Sequence, residues 1–209
     1  SSVKQFENCP RQYNEVRILK KFKQSDTEAT LYGTAVHKAF EEYILHRTPL
    51  PAQFSQFERY VNPLLAVEGE IHCEEKMGIR ANFSPCGFFD KDVWFRGVPD
   101  FMAINRDKRL ARVADFKTGK SSRYADKGQL ELLAAMIMSH YPEVDTVKGA
   151  LLFVVAGDII RTEFTRDHLA DIYSRWAGRA GAIENALNLN VWNPRSGPLC
   201  KFCPVKIGR

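Results

Sequence analysis

The 209 residues, 44% of them apolar, suffice for a buried core and set length for one domain over 1–209, which excludes a peptide or a disordered tail. With 30 basic and 25 acidic residues the formal charge is +5, spread without a like-charged block, so nucleic acid is permitted as a partner without being required. No run approaches the ~18 apolar residues of a membrane span, and the N-terminal Ser-Ser-Val-Lys-Gln-Phe lacks a signal peptide's apolar core, so a cytoplasmic location with no membrane partner is expected.

In chain order, Val36, Phe40, Tyr43 and Ile44 recur at helical spacing and predict a helix over residues 31–46 that contains His37. Short β-prone runs at 71–79, 88–95, 98–104 and 110–116, separated by Gly, Pro and charged turns, predict a strand meander. The Ala-, Leu- and Met-rich stretch 129–140 stops before Pro142 and suits a buried helix; 147–155 reads as a further strand and 167–189 as a long amphipathic helix. Asn193-Pro-Arg-Ser-Gly-Pro then breaks regular structure and delivers Cys200 and Cys203 to the last ten residues. This order of elements indicates an α/β or α+β sheet with helices packed on it.

Asp115-Phe-Lys117 closes the run Leu110-Ala-Arg-Val-Ala-Asp-Phe-Lys, and strand alternation puts Asp115 and Lys117 on one face with Phe116 on the other. Glu74-Glu-Lys76 has the same spacing, and such a pair alone reads as a surface ion pair of little consequence. Context favours Asp115: it ends an apolar stretch, Thr118-Gly119 gives a sharp strand exit, and Gly97-Val-Pro-Asp100 heads another strand fifteen residues earlier. Glu74 has no comparable acid before it on an apolar strand and is discounted. Two carboxylates converging from neighbouring strands suit a hard cation such as Mg²⁺ or Mn²⁺, the arrangement phosphodiester hydrolysis needs. Lys117 is then expected to act electrostatically, with Asp115 and Lys117 both in a solvent-reached cleft.

Taken together these residues resemble the PD-(D/E)XK nucleases, in the branch of the RecB nuclease domain and the CRISPR adaptation nucleases, with many phage exonucleases similar. The resemblance runs in order through Ser2, Phe6, Cys9-Pro10 and Tyr13, then Gly33-Thr-Ala-Val-His37, Gly97-Val-Pro-Asp100, Asp115-Phe-Lys117-Thr-Gly119 and Gln129. It implies an α/β, restriction-endonuclease-like fold with a central mixed β-sheet flanked by helices. It further implies His37, Asp100 and Asp115 as ligands of Mg²⁺ or Mn²⁺, Lys117 as the catalytic lysine, and Gln129 as a residue beside the site that helps hold substrate. One departure is visible: the family often has Tyr four residues after that glutamine, where this chain has Leu133.

Five cysteines without a secretory signal fit reduced thiols or metal ligands better than disulfides. Cys200-Lys-Phe-Cys203-Pro resembles the C-terminal cluster of the same branch, where an N-terminal cysteine, here Cys9, joins it to hold a [4Fe-4S] cluster that brings the chain ends together. Four thiolates are the usual requirement for such a cluster or an all-cysteine zinc site, and only three stand at the expected places. A cluster, zinc with another ligand, a vestigial site and free thiols all remain open. Cys73 and Cys86 read as small core residues.

The loop Lys120-Ser-Ser-Arg123-Tyr124-Ala-Asp-Lys127 is polar and basic, and its Lys120, Arg123, Tyr124 and Lys127, with Arg11 and Arg96, are candidate DNA contacts; an ordinary solvated loop is the plain alternative. No sequence-reading module is evident. The expected activity is a metal-dependent DNA exonuclease acting on ends or single strands in recombination, repair or phage genome processing, alongside recombination or helicase proteins. A phage-encoded chain would work in the host cytoplasm. The alternatives are a structure- or sequence-directed endonuclease and a catalytically silent DNA-binding subunit.

Overall fold

A computed structural model describes residues 2–22, 27–123 and 125–205. Its helices are α1 (Ser2–Asn8), α2 (Pro10–Tyr13), α3 (Glu28–His46), α4 (Glu58–Leu65), α5 (Gly128–His140) and α6 (Leu169–Leu189). Its strands are β1 (Glu70–His72), β2 (Met77–Ile79), β3 (Pro85–Gly87), β4 (Phe95–Gly97), β5 (Phe101–Asn105), β6 (Leu110–Lys117), β7 (Thr146–Phe153) and β8 (Asp158–Thr165). The chain forms two compact units, Thr27–Tyr173 and the joined terminal segments Ser1–Asp26 and Ser174–Arg209.

The larger unit is built on a five-stranded sheet in the order β1-β5-β6-β7-β8. β6 pairs antiparallel with β5 and parallel with β7, so the sheet is mixed, and the parallel step is made by the crossover through α5. Central β6 is buried along most of its length because both of its faces are covered. On one face Phe101, Ala103, Ala114 and Phe116 pack against Val36, Phe40 and Ile44 of α3 and the residues around α4. On the other face lies α5, whose Leu130 sits so close to Gly149 of β7 that an added Cβ there would come within 3.3 Å of it. The α/β expectation of a mixed sheet flanked by helices therefore holds.

α3 begins three residues before its expected start, after a reciprocal cap: Thr27 Oγ1 accepts the Thr30 N–H at 3.2 Å, and Thr30 Oγ1 accepts the Thr27 N–H at 2.8 Å. The expected strand meander is corrected, because the short strands divide between two sheets. β2, β3 and β4 form a separate sheet in the order β3-β2-β4. The run 71–79 is split into β1 and β2 by a turn at Glu74, whose φ is 53°. In the run 88–95 only Phe95 is strand, since the Gly87 carbonyl accepts the Asp90 N–H at 3.1 Å and closes a turn. β8 is an unanticipated edge strand, exposed over much of its length and without a clean apolar alternation.

In the terminal unit, Glu7 accepts two hydrogen bonds from the Arg179 guanidinium, at 2.6 and 3.0 Å, and its carbonyl accepts one from Arg195 at 2.8 Å. Trp192 lies edge-on to Phe6 and stacked on Tyr13, each at 6.3 Å between ring centroids. No helix among the described residues is long and apolar enough to cross a membrane.

Candidate active site

Asp100 immediately precedes β5, and the pair Phe101 with Ala114 fixes the register. One step further along, Asp100 stands opposite Asp115, and residues directly opposite in an antiparallel pair point to the same face. Asp100 is held from two sides: one carboxylate oxygen accepts the backbone N–H of Phe116, and the other lies 3.1 Å from His37 Nδ1. α3 brings His37 into place by packing its neighbour Val36 and one-turn-on Phe40 into the core under Phe116. Gly33, one turn earlier, comes so near the strand exit that an added Cβ would lie 3.2 Å from Thr118 Oγ1.

Asp115 is 3% exposed. Gln129, at the start of α5, donates from its amide to one Asp115 oxygen. Lys117 Nζ forms an ion pair with the other, Oδ2, at 2.5 Å. Lys117 Nζ also donates to Gln129 Oε1 at 2.9 Å. Burial pushes the Asp115 carboxyl above its ordinary range; the Lys117 charge opposes this and the Asp100 charge reinforces it. For His37 burial works against the charged form, yet the hydrogen bond and charge of Asp100, helped by Asp115 and Glu74, outweigh it and raise the imidazole.

Glu74, discounted on sequence grounds, joins the site. Its left-handed backbone turns the side chain toward Asp100, and its N–H donates to the Pro99 carbonyl at 3.1 Å. Burial and the nearby Asp100 charge raise its carboxyl. His37, Glu74 and Asp100 each offer a ligand atom within 4.8 Å of one another, the one such group of three among the described residues. One imidazole and two carboxylates, with Asp115 opposite, match the donor chemistry of a Mg²⁺ or Mn²⁺ site. No local signal marked Glu74, because only the pairing of its turn with Pro99 carries it there.

The expected shared exposure of Asp115 and Lys117 is corrected: Lys117 is half-buried, while Asp115 is enclosed. Leu133 is also buried, and a Cβ on Gly97 would lie 3.0 Å from its Cδ2 and 2.6 Å from Met136 Sδ. That contact accounts for glycine in Gly97-Val-Pro-Asp100. Of the candidate DNA contacts, Lys120, Arg123 and Lys127 are exposed, and the loop is tied to β8 where Ser122 donates to Asp158 at 2.5 Å. Tyr124 lies outside the described residues. Arg11 sits on α2 in the terminal unit.

Cys9, Cys200 and Cys203 do not form a metal-ligand group of three among the described residues. Cys9 Sγ accepts the Gln12 N–H at 3.5 Å as the cap of α2, and Cys200 Sγ accepts the Gly197 N–H at 3.3 Å. Cys86 is buried, and Cys73 is half-buried with its thiol pushed up to about 12, first by burial and then by Glu41, Glu74 and Asp100.

A family model described as the PD-(D/E)XK nuclease superfamily matches residues 1–207. Among solved structures, a crystal structure from Eubacterium rectale named "Putative exonuclease" is similar, with a TM-score of 0.56 at 16% identity, covering 100% of this chain and 88% of that one. No curated protein matches.

Proposed function

Because the chain belongs to the PD-(D/E)XK nuclease superfamily, we propose that it is a divalent-metal-dependent DNA exonuclease. The observation that carries the reading is the placement of Asp100 opposite Asp115, with His37 on one and Lys117 on the other. A bound Mg²⁺ or Mn²⁺ supplies a Lewis acid that activates water and neutralises charge on the phosphate. His37, Asp100 and Asp115 hold the ion, with Glu74 beside them. Lys117 presents a fixed ammonium to the anionic transition state, held by its ion pair with Asp115 and its hydrogen bond to Gln129. Gln129 orients both groups.

Action on ends or single strands is favoured because no sequence-reading module is evident, and the name of the Eubacterium rectale neighbour agrees with it. Recombination, repair or phage genome processing, with recombination or helicase proteins as partners, is the setting that fits such an activity. The test uses Mn²⁺ with linear and circular single-stranded DNA of one sequence. Degradation of the linear form with the circle left intact is expected. A linearised circle would replace the exonuclease with an endonuclease, and no metal-dependent cleavage of either would leave a DNA-binding scaffold.

A further inference from the structure

The small sheet carries a feature that the chemistry at Asp100 and Asp115 does not use. β3 ends in the turn Gly87-Phe88-Phe89-Asp90, and Phe89 at its tip is 78% exposed. The turn that carries this side chain is pinned by its own hydrogen bonds. The Gly87 carbonyl accepts the Asp90 N–H at 3.1 Å, and Asp90 Oδ2 accepts the Gly87 N–H at 2.9 Å. A Cβ at Gly87 would lie 2.7 Å from Asp90 Oδ1, so the close return of the Asp90 side chain needs glycine there. Arg80 braces the turn from below, 3.3 Å from Asp90 and 2.5 Å from Asp92.

Cations flank the two rings. Lys76 Nζ lies 5.6 Å from the Phe89 centroid and the Arg96 guanidinium 5.7 Å from that of Phe88, while Arg96 Nε donates to the Phe88 carbonyl at 2.6 Å. The two rings meet edge to face at 5.0 Å. Register places this group at the site's end of the small sheet. Met77 pairs with Gly87 on one side and with Gly97 on the other. Glu74 is three residues before Met77 and Asp100 three after Gly97, and β3 stands two strand spacings, about 10 Å, from β4.

A solvent-facing aromatic ring on a braced turn, beside lysine and arginine, has the chemistry of a stacking platform for unpaired bases, with the cations placed for the adjoining phosphates. Duplex DNA keeps its bases stacked inside and offers such a ring nothing. We propose that the Phe88–Phe89 turn is a base-stacking contact for single-stranded DNA entering the carboxylate site. This rests on the nuclease reading above.

The test is fluorescence anisotropy with a labelled oligothymidylate in Ca²⁺, using wild type, Phe89→Ala and Phe89→Tyr, beside an abasic oligonucleotide of equal length. Phe89→Ala should weaken oligothymidylate binding about tenfold, Phe89→Tyr should restore it, and abasic binding should not change. Thermal melts identical to wild type are expected, since the side chain is mostly in solvent. Equal affinity of wild type and Phe89→Ala for oligothymidylate overturns the platform while leaving the nuclease reading intact. An equal loss on the abasic strand overturns base stacking in favour of phosphate contact. Wild type that neither binds nor cleaves single strands removes both.

Discussion

Gln129 donates from its amide to Asp115, a carboxylate enclosed between the sheet and α5, and with its own carbonyl takes a hydrogen bond from Lys117 at 2.9 Å. The side chain thus fixes the orientation of one group expected to hold the ion and one expected to meet phosphate. Groups that orient metal ligands are typically worth 10–100-fold in affinity or activity. Gln129→Leu should therefore lower Mn²⁺-dependent cleavage by about that factor and weaken Mn²⁺ binding in calorimetry. Unchanged metal affinity would confine Gln129 to Lys117.

Asp115 and Lys117 call for different substitutions, because only Lys117 reaches solvent. Asp115→Ala would leave Gln129 and Lys117 facing a cavity, so Asp115→Asn is the cleaner probe of charge. Lys117→Ala should cost cleavage on the order of 10²–10³-fold, the usual effect of removing one group that meets transition-state charge. Asp115→Asn should abolish activity with circular dichroism unchanged. Wild-type rates in either variant would refute their roles.

β6 was legible because its apolar run carries a polar pair on one face and ends at Thr118-Gly119. Asp100 was legible as the head of β5, since Pro99 has no N–H for a ladder and marks where pairing begins. Glu74 was not, because its position depends on a left-handed turn bonded to Pro99, a contact between segments 25 residues apart. β8 escaped for a related reason: as an edge strand it is mostly exposed and needs no apolar alternation. At the chain ends the cysteine spacing was visible in sequence, whereas the local hydrogen bonds that Cys9 and Cys200 accept from Gln12 and Gly197 were not.

Asp115, Glu74 and His37 all have raised proton affinities in the folded metal-free protein, from ordinary values of 3.8, 4.5 and 6.5. A group raised on folding stabilises fully below its unfolded pKa, and that contribution is lost as pH climbs through the folded value. The site should therefore stabilise the metal-free protein least at a pH above the raised folded value of His37, once that imidazole has lost its proton. A divalent ion takes the place of those protons, so its affinity rises with pH. The increase in Tm on adding Mn²⁺ should grow from pH 5 to pH 8 and shrink in His37→Ala. An increment independent of pH would separate the ion from these three groups.

Gly97 links the approach to Asp100 with the helix that carries Gln129. A methyl group there would stand 2.6 Å from Met136 Sδ and 3.0 Å from Leu133 Cδ2, and both of these side chains are buried. Overpacking of this kind costs typically 1–3 kcal/mol, and the strain falls on the contact between β4 and α5. Gly97→Ala should lower stability in urea by that amount and lower cleavage as well, because the strain displaces elements that position Asp100 and Gln129. Met136→Ala removes the nearer obstacle, so the double variant should recover part of both losses, a coupling that distant and independent sites do not show. Simple additivity of the two substitutions would mean that Gly97 is not held by this contact.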